Sequence, residues 1–361
     1  MKLTIKTIQL QDMMARSVKG VGNNKLIPLT SLMAIELKDN VLTLITTDAT
    51  NYLYIRKDKV EGENFYVVVE VDTFSKLVSK TTSENITLEL KENMLEVKGN
   101  GTYSIELPLD EDGQAIKYPD PCKAAALSQL PNEIHRSTIQ VILDSIKPSL
   151  ATTLEVPCYT GYYAADSVIA TDSSKIADMA VNLFGDQKYL ISSELMDLLG
   201  VMTEERIIVS TDGDKIQFTT PDCIVFGHVM EGIEDFAIDT IKQFIDMEFS
   251  SMCAVPKSTL LQLLDRLSLF VGPFDENAVI LTFTKQGIQV SSKASSGVEI
   301  IPYSVSENFK DFICMLDIQM FMTIVKAQSS DMIELWYGED SAIKLVDGNV
   351  TQVLALLVDE E

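Results

Sequence analysis

Few residues in this 361-residue chain are of a type and spacing that could do chemistry. The run Gly20-Val21-Gly22-Asn23-Asn24-Lys25 has the glycines and lysine of a phosphate-cradling loop. Such a loop follows a strand, opens a helix and ends in Gly-Lys-Ser/Thr. Here the glycines close a helical pattern, and Leu26 follows the lysine. Two Thr-Asp pairs, Thr47-Asp48 and Thr171-Asp172, lie 124 positions apart and would supply carboxylates for acid–base work. That work needs groups converging in one pocket with separated pKa values. Repetition of the pair favours the other reading, an Asp or Thr that satisfies its own turn. His135 and His228, the only histidines, stand near no cysteine or glutamate pair at ligand spacing, so neither a metal site nor a catalytic triad is expected. The five cysteines, at 122, 158, 223, 253 and 314, are odd in number and lack Cys-x-x-Cys spacing. That pattern fits reduced thiols in a cytoplasm and offers no zinc site. No cofactor is expected.

The elements that carry these residues repeat. Residues 74–97 read as a short amphipathic helix, a polar break and a hairpin of two alternating strands. The pattern returns from Leu195 and from Phe321, 121 and 126 positions on. In each copy the first strand begins 12 residues after the anchor, at Ile86, Ile207 and Ile333. The turns fall at Glu92-Asn93, at Asp212-Gly213-Asp214 and at Gly338-Glu339-Asp340, which are hairpin signals. A period this long is a whole domain. The expected division is 1–123, 124–247 and 248–361.

Each domain reads as two half-units of strand, helix and strands. In the first, a helix over 9–19 places Leu10, Met13, Met14 and Val18 at helical spacing, and Gly20 and Gly22 end it. Strands follow at 31–37, 41–46, 51–55 and 65–71, and 102–107 closes the unit. In the second, helices are expected at 136–147 and around 194–202, with strands at 161–165 and 167–170. In the third, Pro256 introduces a helix over 257–270. Strands at 278–284 and 288–292, a helix near 318–327 and a last strand over 350–358 follow. Residues 108–122 and 232–246 are acidic and read as joins. The segment IATDSS (169–174) echoes ITTDAT (45–50), and the third domain has only VSSKAS at that place.

The charge is lopsided. With 29 Lys+Arg against 53 Asp+Glu the chain carries −24, which by itself argues against nucleic acid and anionic membranes as partners. The six expected helices nevertheless carry a net +2 between them. Two readings stay open: ordinary solvated helix faces, or an inward electrostatic footprint for phosphate beneath an acidic exterior. Lys25 likewise is either a solvated loop cation or faces DNA. The alternating N-terminus, MKLTIKTIQLQD, is unlike a signal peptide, and no apolar run approaches 18 residues.

Residues 27–53, the helix VDTFSKLV (71–78) and SVIATDSSKIA (167–177) are similar to the DNA polymerase III beta subunit (sliding clamp) family, and the resemblance extends over the whole chain. It implies an α+β fold of three tandem two-helix, β-rich domains, paired head to tail into a dimeric ring with the helices lining the hole. It implies a non-enzymatic processivity factor that encircles double-stranded DNA without regard to sequence. Polymerase and clamp-loader subunits would dock through short linear motifs. The inner-helix cations would be Arg16, Lys19, Lys76, Lys80, Arg136, Lys147, Lys257, Arg266 and Lys326, with Lys25 beside them. The family's partner-peptide pocket maps to Tyr159, Thr171, Ser173, Lys175, Ile176, the segment from Phe236 onward, Leu316, Gln319, Met320, Val353, Leu354 and Leu356. The family's Gly and His are replaced there, Lys175 stands for an Arg, and an acidic Asp359-Glu360-Glu361 follows the last strand. Arg266-Leu-Ser-Leu-Phe270 looks like a clamp-binding motif, but in this register Leu269 and Phe270 match dimer-interface positions opposite Tyr103 and Ile105. The rival reading is an acidic interaction scaffold of the same fold that does not encircle DNA. An enzyme is the third class, since no chemical constellation converges.

Overall fold

The computed structural model describes residues 1–22, 24, 26–272, 277–293, 297–305 and 310–358. The chain forms two compact units, one of residues 1–139 with 194–229 and the other of 140–193 with 230–361. Among the described residues no helix is long and apolar enough to cross a membrane.

In the first unit an eight-stranded antiparallel sheet runs in the order Phe65–Glu70, Leu32–Lys38, Val41–Thr47, Tyr52–Asp58, Cys223–His228, Lys215–Thr219, Arg206–Thr211, Ser128–His135. A four-stranded sheet joins Lys2–Lys6, Asn85–Lys91, Met94–Lys98 and Thr102–Glu106 in that order. Alternation in the smaller sheet is strict: Leu3, Ile5, Ile86, Leu88, Leu95, Val97 and Ile105 are buried. Helices Thr7–Ser17 and Val71–Lys80 cover the buried side. The second bears a stripe of Val71, Phe74 and Val78, the spacing of one helix face.

The second unit follows the same plan. Its nine-stranded sheet runs Tyr189–Ser192, Gly161–Ala164, Val168–Thr171, Lys175–Met179, Val350–Ala355, Ala342–Asp347, Met332–Tyr337, Ser251–Pro256, Ser304–Val305. Its four-stranded sheet runs Val298–Ile301, Gly287–Ser292, Ala278–Thr284, Phe312–Asp317. Helix Lys257–Leu267 buries Leu260, Leu263, Leu264 and Leu267. Helix Ile318–Lys326 is capped by the Asp317 carboxylate, which accepts the Gln319 and Met320 amides at 2.7 and 3.0 Å.

The repeat anchors Phe74, Leu195 and Phe321, with the strand starters Ile86, Ile207 and Ile333, all lie in the cores. All three hairpins turn where expected, with Glu92, Gly213 and Gly338 at positive φ. The helix expected over 136–147 is α-helical only from Arg136 to Val141; a π turn, Ile142–Ile146, and a 3-10 turn, Lys147–Ser149, replace the rest. Pro148 offers no amide to the Asp144 carbonyl one turn back. The third domain's first helix likewise stops at Leu267, and 268–270 is a 3-10 turn. The acidic join 232–246 holds a helix the charge pattern hid, Ile238–Ile245, packed over Lys175–Met179 and Val350–Ala355. Gly20 has a packing reason: a Cβ there would lie 2.5 Å from Thr46 Oγ1 and 2.8 Å from Leu53 Cβ.

Candidate functional sites

The Thr-Asp pairs are turns, and three copies exist. Thr47 donates its hydroxyl to the Asn51 carbonyl at 2.6 Å and accepts the Ala49 amide, while Asp48 Oδ1 accepts the amides of Thr50 and Asn51. Thr171 and Asp172 make the same bonds to Lys175, Ser173 and Ser174. Thr211 and Asp212 repeat them in the hairpin that turns at Gly213, where backbone bonds hold the Asp212 carboxyl below its usual range. Ala49, Ser173 and Gly213 each take positive φ at the bend. These carboxylates are held by amides and are not poised to move protons. His135 shares a hydrogen bond with Ser137, and His228 sets its ring edge against Phe226. Among the described residues no three His, Cys, Asp or Glu stand together as metal ligands. Burial pushes the Cys223, Cys253 and Cys314 thiols up to about 12.

The residues assigned to the partner pocket all lie in the second unit: some on or beside its large sheet, Leu316 on the four-stranded sheet, Gln319 and Met320 on helix Ile318–Lys326, and Tyr159 in the 3-10 turn Pro157–Thr160. Ile176 is paired with Val353, and Lys175 with Leu354. Ile176 and Val353 join a cluster with Phe236 and Ile241, against which Tyr159 packs. Phe236 stacks on Tyr163 at 5.0 Å and meets Tyr159 edge-on at 5.2 Å. Leu316 and Leu354 belong to the other core, with Met320 and Leu356 half-buried against it. Thr171 is buried, and Lys175, 8% exposed, pairs its ammonium with Asp172. Ser173 and Gln319 are exposed.

The helix cations divide into two groups. Arg16 is engaged within the first unit: Nη1 meets Asp222 at 2.7 Å, and Nε donates to the Val201 carbonyl at 3.1 Å. Lys257 donates to the Lys326 and Gln328 carbonyls at a helix C-terminus, a favourable place for a cation. Arg266 forks onto Glu299 at 2.8 and 2.6 Å, and Lys76 pairs with Asp72 at 2.7 Å. Lys19 lines a cavity with Asp48, Glu194 and Asp197. Lys147 is half-buried, whereas Lys80, Arg136 and Lys326 are exposed. Lys25 lies outside the described residues.

The residues assigned to the dimer interface stand at two sheet edges. Thr102–Glu106 ends one four-stranded sheet, with Tyr103 and Ile105 on the same face; Ile105 is buried, and Tyr103 is 45% exposed. Val298–Ile301 ends the other, beside Leu269 and Phe270, which are 81% and 52% exposed. Val298 and Ile300 on that edge are also exposed. Sequence reasoning passed over both, although their alternation around Glu299 was a usable signal.

Comparison with known structures places this architecture. The chain superposes on the beta subunit of the Streptococcus pyogenes DNA polymerase at TM-score 0.86 with 16% identity, covering 99% of this chain and 100% of that one. The Bacillus subtilis DNA polymerase sliding clamp gives 0.83 and 17%, with 99% of each chain covered. The Pseudomonas aeruginosa clamp gives 0.83 and 12%, again with 99% of each. The fold is that of a sliding clamp. Residues 1–113 match the family described as DNA polymerase III beta subunit, N-terminal domain, so the resemblance read from the sequence is borne out. Among curated proteins none matches the chain. In the clamp fold the join between repeats is explicit: the closing strand of the second repeat, Cys223–His228, pairs with Tyr52–Asp58 of the first, and Val350–Ala355 of the third pairs with Lys175–Met179 of the second.

Proposed function

We propose that this chain is a DNA polymerase processivity factor: a head-to-tail dimeric ring of three-domain protomers (1–123, 124–247, 248–361) that encircles duplex DNA and tethers replication proteins. One observation carries the reading. At both internal joins, a closing strand pairs with the strand that follows the preceding repeat's first hairpin. The first repeat's closing strand, Thr102–Glu106, and the third repeat's corresponding strand, Val298–Ile301, are both left at sheet edges. Two copies related by a two-fold axis would make the missing join twice and close the assembly. Exposed Tyr103, Val298, Ile300, Leu269 and Phe270 supply the apolar contact such an interface needs.

A ring holds DNA topologically, so weak sequence-independent phosphate contacts suffice and leave it free to slide. Lys80, Arg136 and Lys326 are exposed, as are Lys19, Lys76 and Arg266, but Lys76 and Arg266 are paired with Asp72 and Glu299, and Lys19 lies beside Asp48, Glu194 and Asp197. The partner pocket would use the half-buried rim of Tyr159, Met320 and Leu356, with Ile176 and Val353 beneath Phe236. A second reading, the acidic scaffold, is favoured by the engagement of Arg16, Lys257 and Arg266 inside their own units.

Native mass measurement with retention on closed circular DNA separates the two readings. Leu269→Ala with Phe270→Ala removes roughly 3–6 kcal/mol of apolar contact and should yield a monomer that slips from circular DNA. Wild type should be a dimer retained on circles and lost when the circle is cut. A monomeric wild type, or equal retention on cut DNA, overturns the ring.

A further inference from the structure

The outer sheet faces at the two internal joins are built alike and covered differently. In the second unit Ile169, Ile176 and Val353 lie beneath Phe236 and Ile241, the latter on helix Ile238–Ile245. Their counterparts in the first unit are Ile45, Tyr52 and Phe226, by the 124-residue offset and the matching strand pairs. There the cover is a strap through Ile116, Tyr118 and Cys122 whose one helical turn is Pro121–Ala124. Beside that strap a groove of about 240 Å³ stays open, floored by Thr43, Ile45, Tyr54 and Ile224. At about 30 Å³ per water this is space for about eight waters, enough for an aliphatic side chain or two.

The ends of the groove differ in charge. Strand register sets Lys38 and Arg56 with Glu36 at one end and Ile45, Tyr54 and Ile224 at the other, where Tyr54 donates to Asp120 at 3.0 Å. Cations outnumber carboxylates at the first end, on a chain whose net charge is −24. In the second unit the molecule covers the equivalent face with its own amphipathic helix, whose Lys242 pairs at 2.9 Å with Asp166 in the turn between strands Gly161–Ala164 and Val168–Thr171.

We propose that the groove over Thr43, Ile45, Tyr54 and Ile224 is a docking site for a short amphipathic helix of a partner protein. The helix sets two aliphatic side chains, one turn apart, on the floor and an acidic residue beside Arg56 and Lys38. This surface is separate from the Ile176–Val353 region and does not require the ring.

The test selects binders to the full-length chain from a library of helix-forming peptides of about 14 residues, or about four turns, with one face randomised. Fluorescence anisotropy then measures their affinity. Selected peptides should carry aliphatic residues at i and i+4 with a neighbouring Asp or Glu. Thr43→Trp fills the groove from a half-buried surface position and should weaken binding at least about tenfold, as loss of an anchor pocket does. Arg56→Glu, which changes charge without filling space, should weaken it several-fold, and Ile176→Asp should leave it unchanged. Thermal melts check that each variant is folded. Equal binding to Thr43→Trp and Arg56→Glu overturns the site, as do binders without helical spacing. Sensitivity to Ile176→Asp alone places the peptides elsewhere and overturns it too. Self-association abolished by Thr43→Trp, with no peptide selected, would mean that a second copy occupies the groove and that the proposal is wrong.

Discussion

The two internal joins use the same turn and the same strand ladder yet hold different chemistry. At the first, Asp48 accepts two amides and the Asn51 side-chain amide, all neutral donors. At the second, Asp172 accepts two amides and the ammonium of a buried lysine, Lys175. Above the first lies an extended strap; above the second, a helix that inserts Ile241. Beneath the covers, the paired position two residues on is Tyr54 in one and Asp178 in the other. A repeat therefore conserves what the backbone needs, namely amides satisfied at a tight bend, and frees the side chains that meet solvent or a cover. Function can diverge between the joins without disturbing the fold.

The covers should show the largest difference. Ile241→Ala removes a buried side chain and should cost about 3 kcal/mol, whereas Ile116→Ala, half-buried on the strap, should cost about 1 kcal/mol. Urea unfolding of the two variants measures this, and equal losses would mean that the strap is packed as firmly as the helix.

The turns come next. Asp172→Ala strands the Lys175 ammonium as well as two amides and should cost about 2–3 kcal/mol. Asp48→Ala strands neutral groups only and should cost about 1–2 kcal/mol. Adding Lys175→Met to Asp172→Ala should recover most of the difference, because the unpaired charge is then gone; thermal melts of the series decide it.

A smaller effect is expected at Asp178. Burial raises its carboxyl above the usual 3.8, Ser167 opposes the shift, and Oδ1 has no hydrogen-bond partner among the described residues. A carboxyl whose folded pKa is raised binds its proton more tightly in the folded state. Its stabilisation is full below 3.8 and is lost as pH rises through the raised value. Asp178→Asn should therefore melt above wild type at neutral pH and match it below 3.8. A constant difference across pH would assign the effect to packing. Tyr54, at the equivalent place, is also raised by burial and stays neutral through this range, so Tyr54→Phe should show no such pH dependence.

The smallest perturbation is chemical labelling. Cys122 is half-buried beside the groove while the other four cysteines are buried. Mass spectrometry of the folded chain under mild alkylation should find one modified thiol, at Cys122, and a groove-bound peptide should slow it. Faster reaction at Cys158 or Cys223 would show that the second cover, or the first join, opens more readily than the strap.

Much of this architecture was legible along the chain because it rests on local physics. The hairpins announce themselves by alternating runs around Glu92, Gly213 and Gly338. The helix stripes follow from spacing, and the Thr-Asp turns are closed by residues within four positions. What failed locally did so for identifiable reasons. The acidic residues around Ile238–Ile245 marked that stretch as a join although its own apolar residues recur at helical spacing, and Pro148, directly after the run expected to reach Lys147, withholds an amide from the helix's last turn. Only the tertiary structure could decide which strand closes which sheet, because Ile55 meets Cys223 through a register that neither segment contains by itself. It likewise decided that Arg16 holds Asp222, 206 positions away, and that Lys257 caps a distant helix. A cation in a sequence is only a charge; whether it faces an anion outside the molecule or a carboxylate within it depends on contacts made after the chain has folded.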